Sequence, residues 1–249
     1  MSTELSGDPA VILGDRLPGS LGDRRPMVIP GGLDANTPMT FTPDQMRRVQ
    51  GELQKFLLGY EFALREMETK VAILRDEFQT MHDYNPIEHI SSRVKSAESI
   101  IAKVSRRGTP RDLEAIRAEI TDIAGLRITC SFHDDVYRVF DLLTQQEDIV
   151  VRTVKDYIAT PKPNGYKSLH AIVEVPVYLS TGKITALVEV QLRTIAMDFW
   201  ASLEHKIYYK YDKNVPAELL AELKDAADTA SALDTSMQRL HRQLHGPHS

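Results

Sequence analysis

Cysteine is nearly absent from this chain: Cys130 is the single one in 249 residues. That excludes an intramolecular disulfide framework and suits a reducing compartment. No apolar run is long enough to span a bilayer, and the N-terminus lacks a basic stretch followed by an apolar core. A cytoplasmic protein with no membrane partner is the expectation. Positive charge is not in excess either. Thirty Lys and Arg against 35 Asp and Glu give a net charge of −5 and a pI near 5.9. A general nucleic-acid-binding surface is therefore not favoured, although a local basic cluster is compatible with that balance. There is no Gly-x-x-x-x-Gly-Lys-Ser/Thr loop, so an ordinary P-loop reading fails. Internal repeats are missing too. What remains is the composition of a soluble globular protein, 26% charged and 42% hydrophobic, with ample length for a core.

Residues 1–41 are rich in Gly, Pro, Asp and Ser without a sustained period, and predict a flexible tail ahead of one domain over 42–245. Thr42-Pro43-Asp44-Gln45 has the form of a helix start. Val49, Leu53, Phe56, Tyr60, Leu64, Met67 and Val71 then recur at helical spacing to about Phe78, with Gly59 a possible bend. So long a helix needs a partner for its stripe, which points to oligomer packing as well as its own core. A short extended piece at Ile90–Lys95 precedes a helix over Ala97–Arg107, closed by Gly108. A third short helix opens at Thr109-Pro110-Arg111-Asp112. Ala124–Phe132 predicts a strand, Asp134 to about Glu147 a helix, and Ile149–Tyr157 a strand. Tyr166–Leu179 turns at Ser180–Lys183 into a hairpin with Ala186–Thr194. Thr194–Tyr211 predicts a helix around Met197, Trp200, Leu203 and Ile207. Pro216 opens a last one with Leu219, Leu220, Leu223, Leu233, Met237 and Leu240 on one stripe. The fold class is α+β: a mixed sheet of about five strands flanked by helices, with long helices at both ends.

Ala186–Thr194 alternates. Val188, Val190 and Leu192 fall on one face; Leu187, Glu189, Gln191 and Arg193 fall on the other, about 6.6 Å per step. Asp122 stands just before another strand, beside the small Ala124 and Gly125. Asp122 and Glu189 on neighbouring strands can share Mg²⁺, which takes one or two carboxylates plus substrate phosphates. Arg127, Lys155, Lys162, Lys167 and Arg193 gather in the same region, joined by Arg93, Lys95 and Lys103. Polyphosphate is the ligand that wants both cations and a carboxylate-held metal. Tyr166, Ser168 and His170 share a strand face, and a Tyr at a loop–strand junction can stack on a nucleobase. Each pattern alone has a plainer reading: Asp122 capping a turn, Glu189 and the lysines solvated, Tyr166 packed at a sheet edge.

Ser92-Arg93-Val94-Lys95 with Lys103, Asp122-Ile123-Ala124-Gly125-Leu126-Arg127, Lys155-Asp156-Tyr157-Ile158, Pro161 through His170, and Glu189-Val190-Gln191-Leu192-Arg193-Thr194 are a set. In content and order they resemble the synthetase domain of RelA/SpoT-type alarmone synthetases, over about residues 43–245. The chain looks like the small, single-domain members. The resemblance implies a nucleotidyltransferase-like synthetase fold and transfer of the β,γ-diphosphate of ATP to the 3′-hydroxyl of GDP or GTP, with GMP a further acceptor. It implies Asp122 as Mg²⁺ ligand and Glu189 as a second ligand that also removes the 3′-hydroxyl proton. Arg93 and Arg127 correspond to an adenine sandwich, and Lys95 and Lys103 to phosphate contacts on the ATP side. Lys155, Lys162, Asn164, Tyr166, His170 and Gln191 correspond to the guanosine nucleotide's contacts, with Tyr166 stacked on guanine. It implies a homotetramer, some relatives of which bind (p)ppGpp allosterically. Two rivals are a hydrolase using His82-Asp83 and His133-Asp134, and a non-catalytic nucleotide- or RNA-binding regulator on the same scaffold.

Overall fold

The computed structural model describes residues 11–12, 42–211 and 214–245. The elements are β1 (Val11–Ile12), α1 (Pro43–Met81), β2 (Ile87–Val94), α2 (Ala97–Arg107), α3 (Leu113–Glu119) and β3 (Ala124–Cys130). They continue as α4 (His133–Thr144), β4 (Val150–Asp156), β5 (Leu169–Leu179), β6 (Gly182–Thr194), α5 (Ile195–Lys210) and α6 (Ala217–His245). The sheet runs in the order β1-β4-β5-β6-β3-β2. Five strands are substantial; β1 is a two-residue strand on the outer edge of β4. The tail expected over 1–41 otherwise lies outside the described residues.

The sheet is mixed because β3 and β6 pair in parallel while every other pair is antiparallel. That one parallel pair carries the site. It sets Gly125 opposite Glu189 and Arg127 opposite Gln191. The segment before β3 therefore opens beside the middle of β6. The alternation of β6 is obeyed: Val188, Val190 and Leu192 are buried, and Glu189 and Gln191 are half-buried on the other face. β5 and β6 close with a two-residue turn, Leu179 pairing with Gly182.

One apolar cluster joins these strands to α1, α2, α3 and α4. It holds Phe56, Tyr60, Met67 and Val71 of α1 with Val136, Val139 and Leu143 of α4. Burial of a side chain of this size contributes about 1.5–3 kcal/mol, so the stripe of α1 is enough to fix that helix across the sheet. α1 runs through Gly59 without interruption. A Cβ there would lie 3.2 Å from the Ile184 side chain, so the glycine lets α1 approach β6 closely.

The helix ends follow their caps. Ser96 caps α2, accepting from Ser99 N, and Gly108 closes it in the left-handed region at φ 70°. α3 begins later than Thr109-Pro110 indicates, because Asp112 takes the N-cap and accepts from Ala115 N at 2.7 Å. Thr109 instead donates to Glu119. β5 begins at Leu169, not Tyr166. Tyr166, Ser168 and His170 therefore do not share a strand face: Ser168 is fully buried and donates to Leu192 O. On α5, Met197 and Trp200 are buried, but Leu203 is exposed.

Candidate active site

The polar face of β6 and the segment ahead of β3 enclose a cavity of about 190 Å³. It is lined by Arg93, Asp122, Gly125, Arg127, Glu189 and Gln191, with Ser91, Ser92 and Leu126. Asp122 and Glu189 thus face one space, as the sheet register requires.

Asp122 sits where α3 hands over to β3. Its Oδ2 accepts from Lys95 Nζ at 2.7 Å and Lys103 Nζ at 2.6 Å. Burial disfavours its charge, but the hydrogen bonds and charges of Lys103 and Lys95 outweigh that and hold the carboxyl below the usual carboxylate range. Its Oδ1 is buried with no hydrogen-bond partner. A buried ionised oxygen left open is costly unless a cation takes it. With Glu189 across the same cavity, this donor set fits a hard divalent ion that keeps most of its ligands for substrate oxygens and water. Among the described residues no cluster of three or more His, Cys, Asp or Glu forms a closed protein cage.

Glu189 is held from two sides. Gln191 Nε2 donates to Oε2 at 2.9 Å, and His170 Nδ1 stands 3.6 Å from Oε1. Burial works against its charge, yet His170 and Gln191 outweigh it and keep the carboxyl below its ordinary value. His170 is itself lowered, by burial first, with Glu189 opposing. The Tyr166 hydroxyl lies 2.6 Å from the Arg193 guanidinium, which can only donate, and 2.7 Å from His170 Nε2. The phenol oxygen accepts from Arg193 and shares one hydrogen bond with Nε2, while the Nδ1 edge of the ring faces Glu189. Glu189 is a carboxylate held between Gln191 and the His170 ring.

The residues expected to contact the guanosine nucleotide gather at one end of β5 and β6. Tyr157, Tyr166 and His170 meet edge-to-face, at ring separations of 5.3–6.0 Å. Lys162 Nζ lies 4.5 Å from the Tyr157 ring centre and 5.0 Å from that of Tyr166. Asn164 Oδ1 accepts from Tyr166 N, and its Nδ2 donates to Glu204 Oε1 at 3.0 Å. Lys155 lies on β4 opposite His170. On the other side, Arg93 stands in β2 opposite Gly125 and is exposed at the cavity mouth, with Arg127 two residues along, opposite Ser91.

The structure thus brings the expected residues into two adjoining groups with Glu189 and Gln191 between them. Lys167 is the exception among the grouped cations: it turns away to α6 and donates to Ser231 Oγ. Sequence reasoning missed Asp198, whose Oδ1 meets both Arg127 and Arg193, and Glu204, which holds Asn164. It assigned no partner to Arg193, which is buried beneath Tyr166. Asp198 in the first turn after Thr194 was the available signal, but an acidic first turn is ordinary helix chemistry. The histidine pairs named for a hydrolase are engaged elsewhere: His82 packs on Phe78, and Asp134 pairs with Arg242.

The profile described as "Region found in RelA / SpoT proteins" matches residues 92–214, the span that holds Asp122, Glu189 and the cations and rings around them. The GTP pyrophosphokinase YwaC of Bacillus subtilis is 49% identical over 201 residues, covering 81% of this chain and 96% of that protein. The crystal structure of small alarmone synthetase 2 from Bacillus subtilis superposes with a TM-score of 0.71 at 49% identity, covering 77% of this chain and 99% of that one. That of small alarmone synthetase 1 from the same species, bound to its product pppGpp, gives 0.72 at 38% identity, covering 78% and 98%. With its mixed sheet, its paired carboxylates and this extent of likeness, the chain belongs to the RelA/SpoT family, among its small alarmone synthetases.

Proposed function

We propose that this protein transfers the β,γ-diphosphate of ATP to the 3′-hydroxyl of GDP or GTP, releasing AMP and the corresponding alarmone. The observation that carries this reading is the shared cavity of Asp122 and Glu189, flanked by cations on one side and an edge-to-face cluster of rings on the other. Its relatives include a GTP pyrophosphokinase and a small alarmone synthetase bound to pppGpp.

The mechanism follows from what each side chain can do. Arg93 and Arg127 offer guanidinium planes that hold an adenine ring by stacking and cation–π attraction. Lys95 and Lys103 move from Asp122 to phosphate oxygens as the triphosphate enters, so the carboxylate is freed as the phosphates are neutralised. Asp122 Oδ1 and Glu189 would hold Mg²⁺, which would supply charge neutralisation for the transferred phosphates. Tyr166 stacks on guanine, and Lys162, Lys155, Asn164, His170 and Gln191 hold the rest of the acceptor nucleotide. Glu189 takes the proton from the 3′-hydroxyl, the oxygen bonds to the β-phosphorus, the bond from that phosphorus to the α-phosphate oxygen breaks, and AMP leaves. The protein's work is positioning and electrostatics rather than covalent chemistry.

Residues 42–245 form the synthetase domain in this reading. The exposed apolar residues of α5 and α6, Ile195, Phe199, Leu203, Leu233 and Met237, line a groove of about 910 Å³. A groove of that kind fits burial between copies in a homotetramer. The reading is tested by incubating purified protein with γ-labelled ATP, GDP and Mg²⁺. Label in ppGpp with AMP in equal amount supports it. Nucleotide binding without product favours the non-catalytic regulator.

A further inference from the structure

One carboxylate joins the two halves of the site. Asp198, in the first turn of α5, places Oδ1 3.3 Å from an Arg127 guanidinium nitrogen and 3.1 Å from one of Arg193. Arg127 belongs to the adenine side. Arg193 donates to the Tyr166 hydroxyl at 2.6 Å and to Gln191 Oε1 at 3.2 Å, and its guanidinium stands 5.2 Å from the Tyr166 ring centre. The two arginines differ in freedom. The Arg193 side chain is 6% exposed and that of Arg127 36%. Each also has a buried Nε with no hydrogen-bond partner, so neither guanidinium is fully satisfied even with Asp198 shared between them. Remove the carboxylate, and two like charges face each other partly desolvated.

We infer that Asp198 is a positioning residue that couples the two nucleotide subsites, so that filling the adenine side tightens the guanosine side. This rests on the two-subsite reading above. A purine stacking on Arg127, the more exposed partner, draws that guanidinium toward the base. Asp198 is then left to Arg193 alone. A more firmly held Arg193 fixes the Tyr166 hydroxyl, the Tyr166 ring and, through His170, the orientation of Glu189. The chain of contacts is continuous: Arg127, Asp198, Arg193, Tyr166, His170, Glu189. A carboxylate shared between two sites and biased by one of them satisfies the physical requirement for such coupling.

Calorimetric titration of GDP into the full chain tests this, with and without saturating α,β-methylene-ATP, Mg²⁺ being present throughout. In the unaltered protein the analogue tightens GDP binding by about 5-fold or more. Asp198→Ala removes the carboxylate, and Asp198→Asn keeps its shape without its charge; in both the ratio falls to near one. A purely structural role would lower the melting temperature and weaken both nucleotides separately while leaving the ratio intact. An unchanged ratio in Asp198→Asn, at a native-like melting temperature, overturns the inference. So does a ratio of one in the unaltered protein with both nucleotides bound. Failure of both nucleotides to bind the unaltered protein would instead remove the two-subsite reading, and this inference with it.

Discussion

In the proposed mechanism Glu189 is the residue on which the chemistry turns, and its neighbours suit it to act as a base. The Gln191 and His170 contacts hold it ionised in spite of its burial. Glu189→Gln keeps the size and polarity of the side chain and removes its basicity. Turnover is expected to fall by roughly 10²–10⁴, with GDP affinity little changed, measured by steady-state kinetics beside calorimetry. Near-normal turnover would remove the assigned role. At this scale the sequence carried the type of residue and its spacing. Glu189 and Gln191 were legible because strand alternation puts both on one face, and Asp122 because small residues follow it. The direction of a side chain from a helix is less legible. Glu204 and Asp198 sit on α5, where spacing says which face they share but not that this face leans over Asn164 and the two arginines.

Between elements, α6 holds α5, the end of β6 and the loop that leads into β5. Trp200 Nε1 donates to Leu223 O at 2.8 Å, and Thr194 Oγ1 donates to Asp234 at 2.6 Å. Gly165 lies against α6 at φ +88°, where a Cβ would come within 2.5 Å of the Ala227 side chain. Gly165→Ala therefore strains the backbone and collides with the helix. A loss of about 1–3 kcal/mol is expected from the backbone alone, with a raised Michaelis constant for GDP and a smaller change for ATP. Gly51→Ala is the contrasting case: it lies inside α1 with nothing near its Cβ, and should stabilise by about 0.5–1 kcal/mol. Denaturant titration of both variants checks the pair; equal effects would deny Gly165 its special position. Most elements could be read because their caps are local. Gly108 ends α2 and Thr194 caps α5 for reasons contained in a few residues. The early start assigned to α3 and β5 failed where a side chain found a better partner: Asp112 out-competed Thr109 as a cap, and Ser168 turned inward to Leu192.

Across the whole molecule, the feature left over is apolar surface. Ile195, Phe199, Leu233, Met237 and Leu240 are between 44% and 72% exposed. A last stripe on α6 was legible from its period, but the period does not say whether it meets its own chain or another. Here Leu223 is buried within the chain, while Leu233 and Met237 face outward. If the proposed homotetramer forms through this surface, the paired change Leu233→Glu with Met237→Glu lowers the molecular mass measured by light scattering toward smaller species. An unchanged mass would place the assembly surface elsewhere. The sheet's arrangement was legible only in outline. Helices mixed with a hairpin predicted a mixed sheet, but not that β3 would run parallel beside β6, the pairing that brings Asp122 to Glu189.

That meeting of two carboxylates can be seen directly in a crystal of the protein grown with α,β-methylene-ATP, GDP and Mn²⁺ in place of Mg²⁺. The account predicts an anomalous peak about 2.0–2.3 Å from Asp122 Oδ1, adjoining Glu189, with guanine on Tyr166 and adenine by Arg127. A metal bound away from both side chains, beside correctly placed nucleotides, would contradict it.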